Sequence, residues 1–139
     1  MKARGHIIAA LIAALLLVTH GARATDRRIE TAAKTALKKA EDDFLRMDLD
    51  KAKKRLQAAE RACGDSACTT STHAALFRDI GAMELRLGAR DAALASFLRA
   101  KKLDPTIELN PSYDAPDLRE AWASASPVVR PSGDFKHVP

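Results

Sequence analysis

The sequence predicts an all-α domain of short helical hairpins, and three observations predict it. Apolar residues recur at spacings of three and four from Thr25 to Leu103, the signature of helices with one buried face. No segment alternates apolar and polar residues as a half-buried strand does. Turn and capping residues punctuate the pattern at Gly64, Gly88 and Asp104-Pro105. Aromatics make up only 4% of the chain and many apolar positions are alanine. Alanine lets helices approach closely but buries little area. At about 25 cal/mol per Å² of apolar surface, such a core gives modest stability, so extra constraints should matter.

The first residues read as a leader. Lys2 and Arg4 form a positive start, Ile7 to Val18 is an unbroken apolar run, and Ala22-Arg23-Ala24 is a small-x-small cleavage pattern. Residues 1–24 are therefore expected to be a secretory signal peptide cut after Ala24. The apolar run is shorter than the roughly 20 residues that span a bilayer. No cysteine follows it, which argues against a lipid anchor.

The leader also carries much of the basicity. The chain has 23 Lys+Arg against 18 Asp+Glu; Lys2, Arg4 and Arg23 belong to the leader, so 20 bases face 18 acids beyond it. That near-balance gives no basic stripe for nucleic acid. The cluster Lys51 to Arg55 lies near Asp48 and Asp50 and has no aromatic beside it for base stacking, so it reads as a solvated helix face.

Beyond the leader, residues 25–125 form one helical domain. Thr25 to Arg46 predicts a first helix, with Ile29, Ala33, Ala36, Leu37, Ala40, Phe44 and Met47 on its apolar face. Asp48 offers a cap for a second helix over about 49–62, which faces inward through Leu49, Ala52, Leu56 and Ala59. Cys63 to Cys68 is the first loop, followed by the capping-rich run Thr69-Thr70-Ser71-Thr72. A third helix is expected over about 72–87 and a fourth over about 89–103, stopped by Asp104-Pro105. Thr106 to Tyr113 has an extended pattern. Asp114 is expected to cap a short helix with Pro116 in its first turn and Leu118, Ala121 and Trp122 on one apolar edge. Trp122 is expected to cover the end of the last hairpin. Residues 126–139 hold several prolines and few large apolar residues, the pattern of a disordered tail.

In the third and fourth helices, Gly81, Gly88, Ala93, Phe97, Ala100 and Pro105 fall at the spacing of the tetratricopeptide (TPR) repeat, a helical hairpin of about 34 residues, and Phe77 and Ile80 match its large first-helix positions. The segment from about 74 to 107 thus resembles a TPR unit, with Glu84 where the family commonly has tyrosine. Moving back 41 residues places Ala40 under Gly81, Ala52 under Ala93, Leu56 under Phe97 and Ala59 under Ala100. This fainter copy has Met47 in place of the turn glycine, Lys39 and Asp43 at normally apolar places, and no closing proline. The offset is the repeat length plus an insertion of about seven residues at the cysteine loop. The resemblance implies two TPR-like hairpins, a short α-solenoid, plus a C-terminal capping helix. The layout is also similar to small secreted TPR-like proteins of Gram-negative bacteria. Repeats usually need about three copies to bury a continuous core, so the last helix, a disulfide, self-association or a partner must compensate.

Cys63 and Cys68 are the only cysteines, and in an exported chain they predict a disulfide. Together with His73 and Asp65 they match no common zinc framework, so no metal is expected and His73 reads as a capping or exposed residue. No phosphate loop, nucleophile motif or spaced carboxylate pair stands out, and no cofactor is expected. Asp42-Asp43 reads as a solvated face and Asp48/Asp50 as a cap.

In TPR arrays the first helix of each hairpin lines the ligand groove. By that resemblance the groove would comprise Lys34, Leu37, Glu41, Phe44, Leu45, Arg78, Ala82, Leu85 and Arg86, with the arginines suited to carboxylates. The expected function is an exported, non-enzymatic protein-interaction module, periplasmic or extracellular, that binds a protein or peptide. The alternatives are a self-associating structural protein and a TPR domain tethered to the membrane by an uncleaved leader.

Overall fold

The computed structural model describes the backbone of residues 4–126 and the side chains of residues 24–126. The side chains of the expected leader up to Arg23, and the expected disordered tail from Pro127, lie outside the described residues. The helices are α1 (Arg4–Leu45), α2 (Leu49–Cys63), α3 (Thr70–Arg86), α4 (Arg90–Leu103) and α5 (Pro116–Ser124), with a 3-10 turn at Pro111–Tyr113. The protein is all-α in its described residues. α1 pairs with α2, α3 with α4, and the two hairpins stack through α2 and α3. α1 runs without a break through Ala24, so the domain's first helix begins well before the expected Thr25.

The two hairpins close in the same way. In the first, the Met47 N–H donates to the Phe44 carbonyl (2.9 Å) and the Asp48 N–H to that of Asp43 (2.9 Å). In the second, Gly88 donates to Leu85 (3.0 Å) and Ala89 to Glu84 (2.8 Å). Each bond lies 41 residues from its counterpart. The closure is a Schellman turn, which needs one residue in the left-handed region. Gly88 takes it with φ 83°, and Met47 takes it with φ 62°. A methionine can occupy the glycine position because its side chain projects into solvent, 75% exposed.

The helix crossings repeat the correspondence with different sizes. Gly81 lies against Phe97 so closely that a Cβ there would sit 2.6 Å from two ring carbons and 3.1 Å from the Ala93 carbonyl. At the equivalent crossing Ala40 meets a smaller partner, Leu56, and both are fully buried. The core continues through Ala33, Ala52, Leu76, Ile80 and Met83 to Leu118 and Ala121 of the last helix.

The Cys63–Cys68 disulfide clips the junction between the hairpins, with Cα atoms 5.1 Å apart. Thr69 then caps α3, its hydroxyl accepting from the Thr72 N–H. Asp48 stands at the cap position of α2, but its side chain makes no capping bond. Ala115, not Asp114, precedes α5, and Asp114 instead accepts from Arg119 at 2.6 Å. As expected, α5 covers the end of the second hairpin. Trp122 meets Phe97 edge-on at 5.2 Å, and the Lys101 ammonium lies over its ring at 4.5 Å and bonds its carbonyl.

Candidate functional site

The nine residues expected to line a groove do come from α1 and α3, but they do not form an open one. The segment from Ile107 to Tyr113 returns across these two helices. Asn110 donates its side-chain amide to Glu41 (2.8 Å), and the Tyr113 ring packs edge-on against Phe44 with centroids 4.7 Å apart. Arg78 donates to the Glu108 carbonyl at 3.4 Å, and Arg86 pairs with Asp117 of α5 at 3.2 Å. Ala82 is fully buried, and Leu37 and Leu85 pack against the core. Lys34 stays at the surface, paired with Glu30 at 3.0 Å, and Leu45 projects into solvent, 71% exposed. The open groove is therefore corrected to a face that the chain fills itself. The physical reason is the lean core: an uncovered α1–α3 face would leave Phe44 and Leu85 in water, and the following segment is long enough to reach them.

This strap is held by a buried polar knot. Asp79 is completely buried. Its carboxylate accepts from Arg78 Nε (2.6 Å), Asn110 Nδ2 (3.4 Å) and the Tyr113 hydroxyl (3.5 Å). Burial pushes the Asp79 carboxyl above its usual range, against the pull of Arg78 and Asn110. Burial, together with the charges of Asp79 and Glu41, pushes the Tyr113 phenol up. Asn110 also accepts from the Ser112 N–H, which starts the 3-10 turn that aims Tyr113 inward. The sequence reading missed Asp79, Asn110 and Tyr113. The available signals were the Asn-Pro turn pair and a lone tyrosine in an aromatic-poor chain.

Two further carboxylates depart from the expected solvated faces. Asp43 is buried, and burial works against its charge. Hydrogen bonds from Arg55 (2.9 Å) and Lys51 (3.4 Å) outweigh that and hold it below the ordinary carboxylate range. Thus two members of the Lys51–Arg55 cluster serve the α1–α2 contact and not solvent. In the second hairpin Glu84 is buried and accepts from Ser96 at 2.7 Å. Asp43 and Arg55 stand 41 residues before Glu84 and Ser96, so one polar latch occurs in the same register in both hairpins. It accounts for acids at two positions where the repeat pattern asks for apolar or aromatic residues.

Glu30 fastens α1 to the start of α3. Its carboxylate accepts from the Thr72 hydroxyl (2.6 Å), the Thr69 N–H (2.9 Å), the Thr69 hydroxyl (3.1 Å) and Lys34. Burial opposes the charge, and these bonds bring the carboxyl down to about 2.

His73 corrects another expectation: it is buried, and its Nε2 has no hydrogen-bond partner. It lines a pocket of about 260 Å³ with Phe77, Arg99 and Leu103, closed by Glu60, Arg61, Gly64 and Asp65 from the end of α2 and the cysteine loop. The Arg99 guanidinium lies 4.2 Å above the Phe77 ring. Among the described residues, no three His, Cys, Asp or Glu side chains are placed to hold a metal ion. Also among the described residues, no helix is long and apolar enough to cross a membrane.

No family model, curated protein or solved structure matches the chain.

Proposed function

We propose that this protein is an exported, non-enzymatic interaction module, a scaffold or accessory subunit of the bacterial cell envelope. In this reading its two hairpins are TPR-like repeats and residues 1–24 are a signal peptide. The observation that carries it is the shared register of the hairpins, down to the turn bonds and the buried Asp43 and Glu84 latches. Stacked hairpins with one end covered by α5 make a rigid platform whose remaining faces are free for a protein partner. The α1–α3 face is already filled, so the partner engages another surface.

Tagged mature protein should recover a partner from envelope extracts of the producing cell. Arg78→Glu/Arg86→Glu should leave that capture intact while lowering the melting temperature, because both arginines serve internal contacts. Loss of capture at unchanged stability would return the partner to the α1–α3 face. Recovery of no partner at all would contradict the module reading. A self-associating structural protein is the second reading, favoured by the uncovered outer face of the first hairpin. Light scattering separates the two, since the module is a monomer when purified alone. N-terminal sequencing decides whether the leader is removed or tethers the protein to the membrane.

A further inference from the structure

The first hairpin carries a trough between α1 and α2 that no described residue covers. It has a volume of about 250 Å³ and is lined chiefly by Ile29, Ala32, Ala36, Ala58 and Ala62. Small side chains on both walls let a helix backbone approach closely.

The molecule shows what such a trough receives. Ala32, Ala36, Ala58 and Ala62 correspond, 41 residues on, to His73, Phe77, Arg99 and Leu103. Those four line the equivalent trough of the second hairpin, and there the C-terminal end of α2 lies across it. The same register is therefore covered by a helix in one hairpin and open in the other.

The rim adds a charge preference. Arg27, Arg28 and Lys39 stand beside Ala32 and Ala36, all three exposed. None of them has an ion-pair partner among the described residues. Thr31 and Thr35, between them, donate their hydroxyls to carbonyls of their own helix at 2.8 and 2.9 Å and ask for no partner. A second copy is a poor match for this rim. The acids on the capped end are already paired within the chain: Asp114 with Arg119 (2.6 Å), Asp117 with Arg86 (3.2 Å) and Glu120 with Arg90 (3.5 Å).

We infer that the α1–α2 trough is a docking site for an acidic amphipathic helix of another protein, laid as α2 lies on the second hairpin. This rests on the interaction-module reading and names its surface and the chemistry of its partner. Small residues on the incoming helix would meet the alanines, and its carboxylates would meet Arg27, Arg28 and Lys39.

The test places the photo-crosslinker p-benzoyl-phenylalanine at Ala32 or Ala58, one at a time, in the full chain in the producing cell. Control positions are Ser71 and Ala123, which are exposed on other faces. The expected adduct joins Ala32 or Ala58 to an acidic, helical segment of a different protein, and Arg28→Glu/Lys39→Glu suppresses it. A synthetic peptide of that segment should bind the purified protein at least tenfold more weakly when those two substitutions are present. Adducts to a second copy, to residues 127–139 of the same chain or to lipid would overturn the proposal, as would adducts insensitive to the charge reversal. Adducts from the control positions alone would remove the trough and leave the module reading standing. No adduct from any position would remove both.

Discussion

A left-handed methionine shows how this chain departs from its own better half. Met47 and Gly88 close equivalent turns, yet only glycine adopts that conformation without strain. Neither position is limited by space: no atom would meet a Cβ at Gly88, and Met47 is exposed. The difference is therefore conformational, on the order of 1 kcal/mol. Met47→Gly should raise stability by about 0.5–1 kcal/mol and Gly88→Ala should lower it by about 1 kcal/mol, both measured by urea denaturation. A second residue-scale consequence concerns acid. Glu30 has a folded-state pKa of about 2, against an ordinary value of 4.5. Its contribution is full above the unfolded value and is lost as pH falls from about 4.5 towards 2. After discount for solvent screening, we expect about 1–2 kcal/mol to disappear over that window. Glu30→Gln should flatten that part of the stability–pH curve; an unchanged curve would mean the Thr69–Thr72 contact is not formed in solution.

Between elements, fit depends on pairs of sizes. Gly81 faces Phe97 while Ala40 faces Leu56, so the smaller residue on one helix is matched by the larger on its neighbour. Gly81→Ala gains about 1 kcal/mol of helix propensity but forces the buried Phe97 ring to move. The net should be a loss of about 1–2 kcal/mol, and Gly81→Ala/Phe97→Leu, which copies the first hairpin's pairing, should recover part of it. Equal losses in the single and double variants would contradict the matched-size account. These elements were largely legible in the sequence. Apolar spacing placed four helices, Asp104-Pro105 ended α4, and the cysteine loop marked the junction. Polar contacts inside the core were not legible. Asp43, Glu84 and His73 look like surface residues to a period count, because their partners stand on other helices. Only the shared 41-residue register linked Asp43 and Arg55 to Glu84 and Ser96, and it needed the facing helices to give it meaning.

Across the whole molecule, the segment after α4 decides which surface is available. Its residues looked extended and polar in the sequence, and nothing local says that they turn back over α1 and α3. The candidate groove was misplaced for that reason: Phe44 and Arg78 were assigned to a ligand and are used by the chain itself. Once the strap is in place, the two hairpins, the disulfide and α5 supply a closed core from only two repeats. The face left uncovered by described residues is the α1–α2 edge. The strap is therefore the central feature, and Tyr113 makes it directly testable because it is the chain's only tyrosine. Nuclear Overhauser spectra of the purified protein should show cross-peaks between the Tyr113 and Phe44 ring protons, whose centroids lie 4.7 Å apart. Absence of those cross-peaks, with a freely tumbling Tyr113 ring, would mean the α1–α3 face is open and the account is wrong.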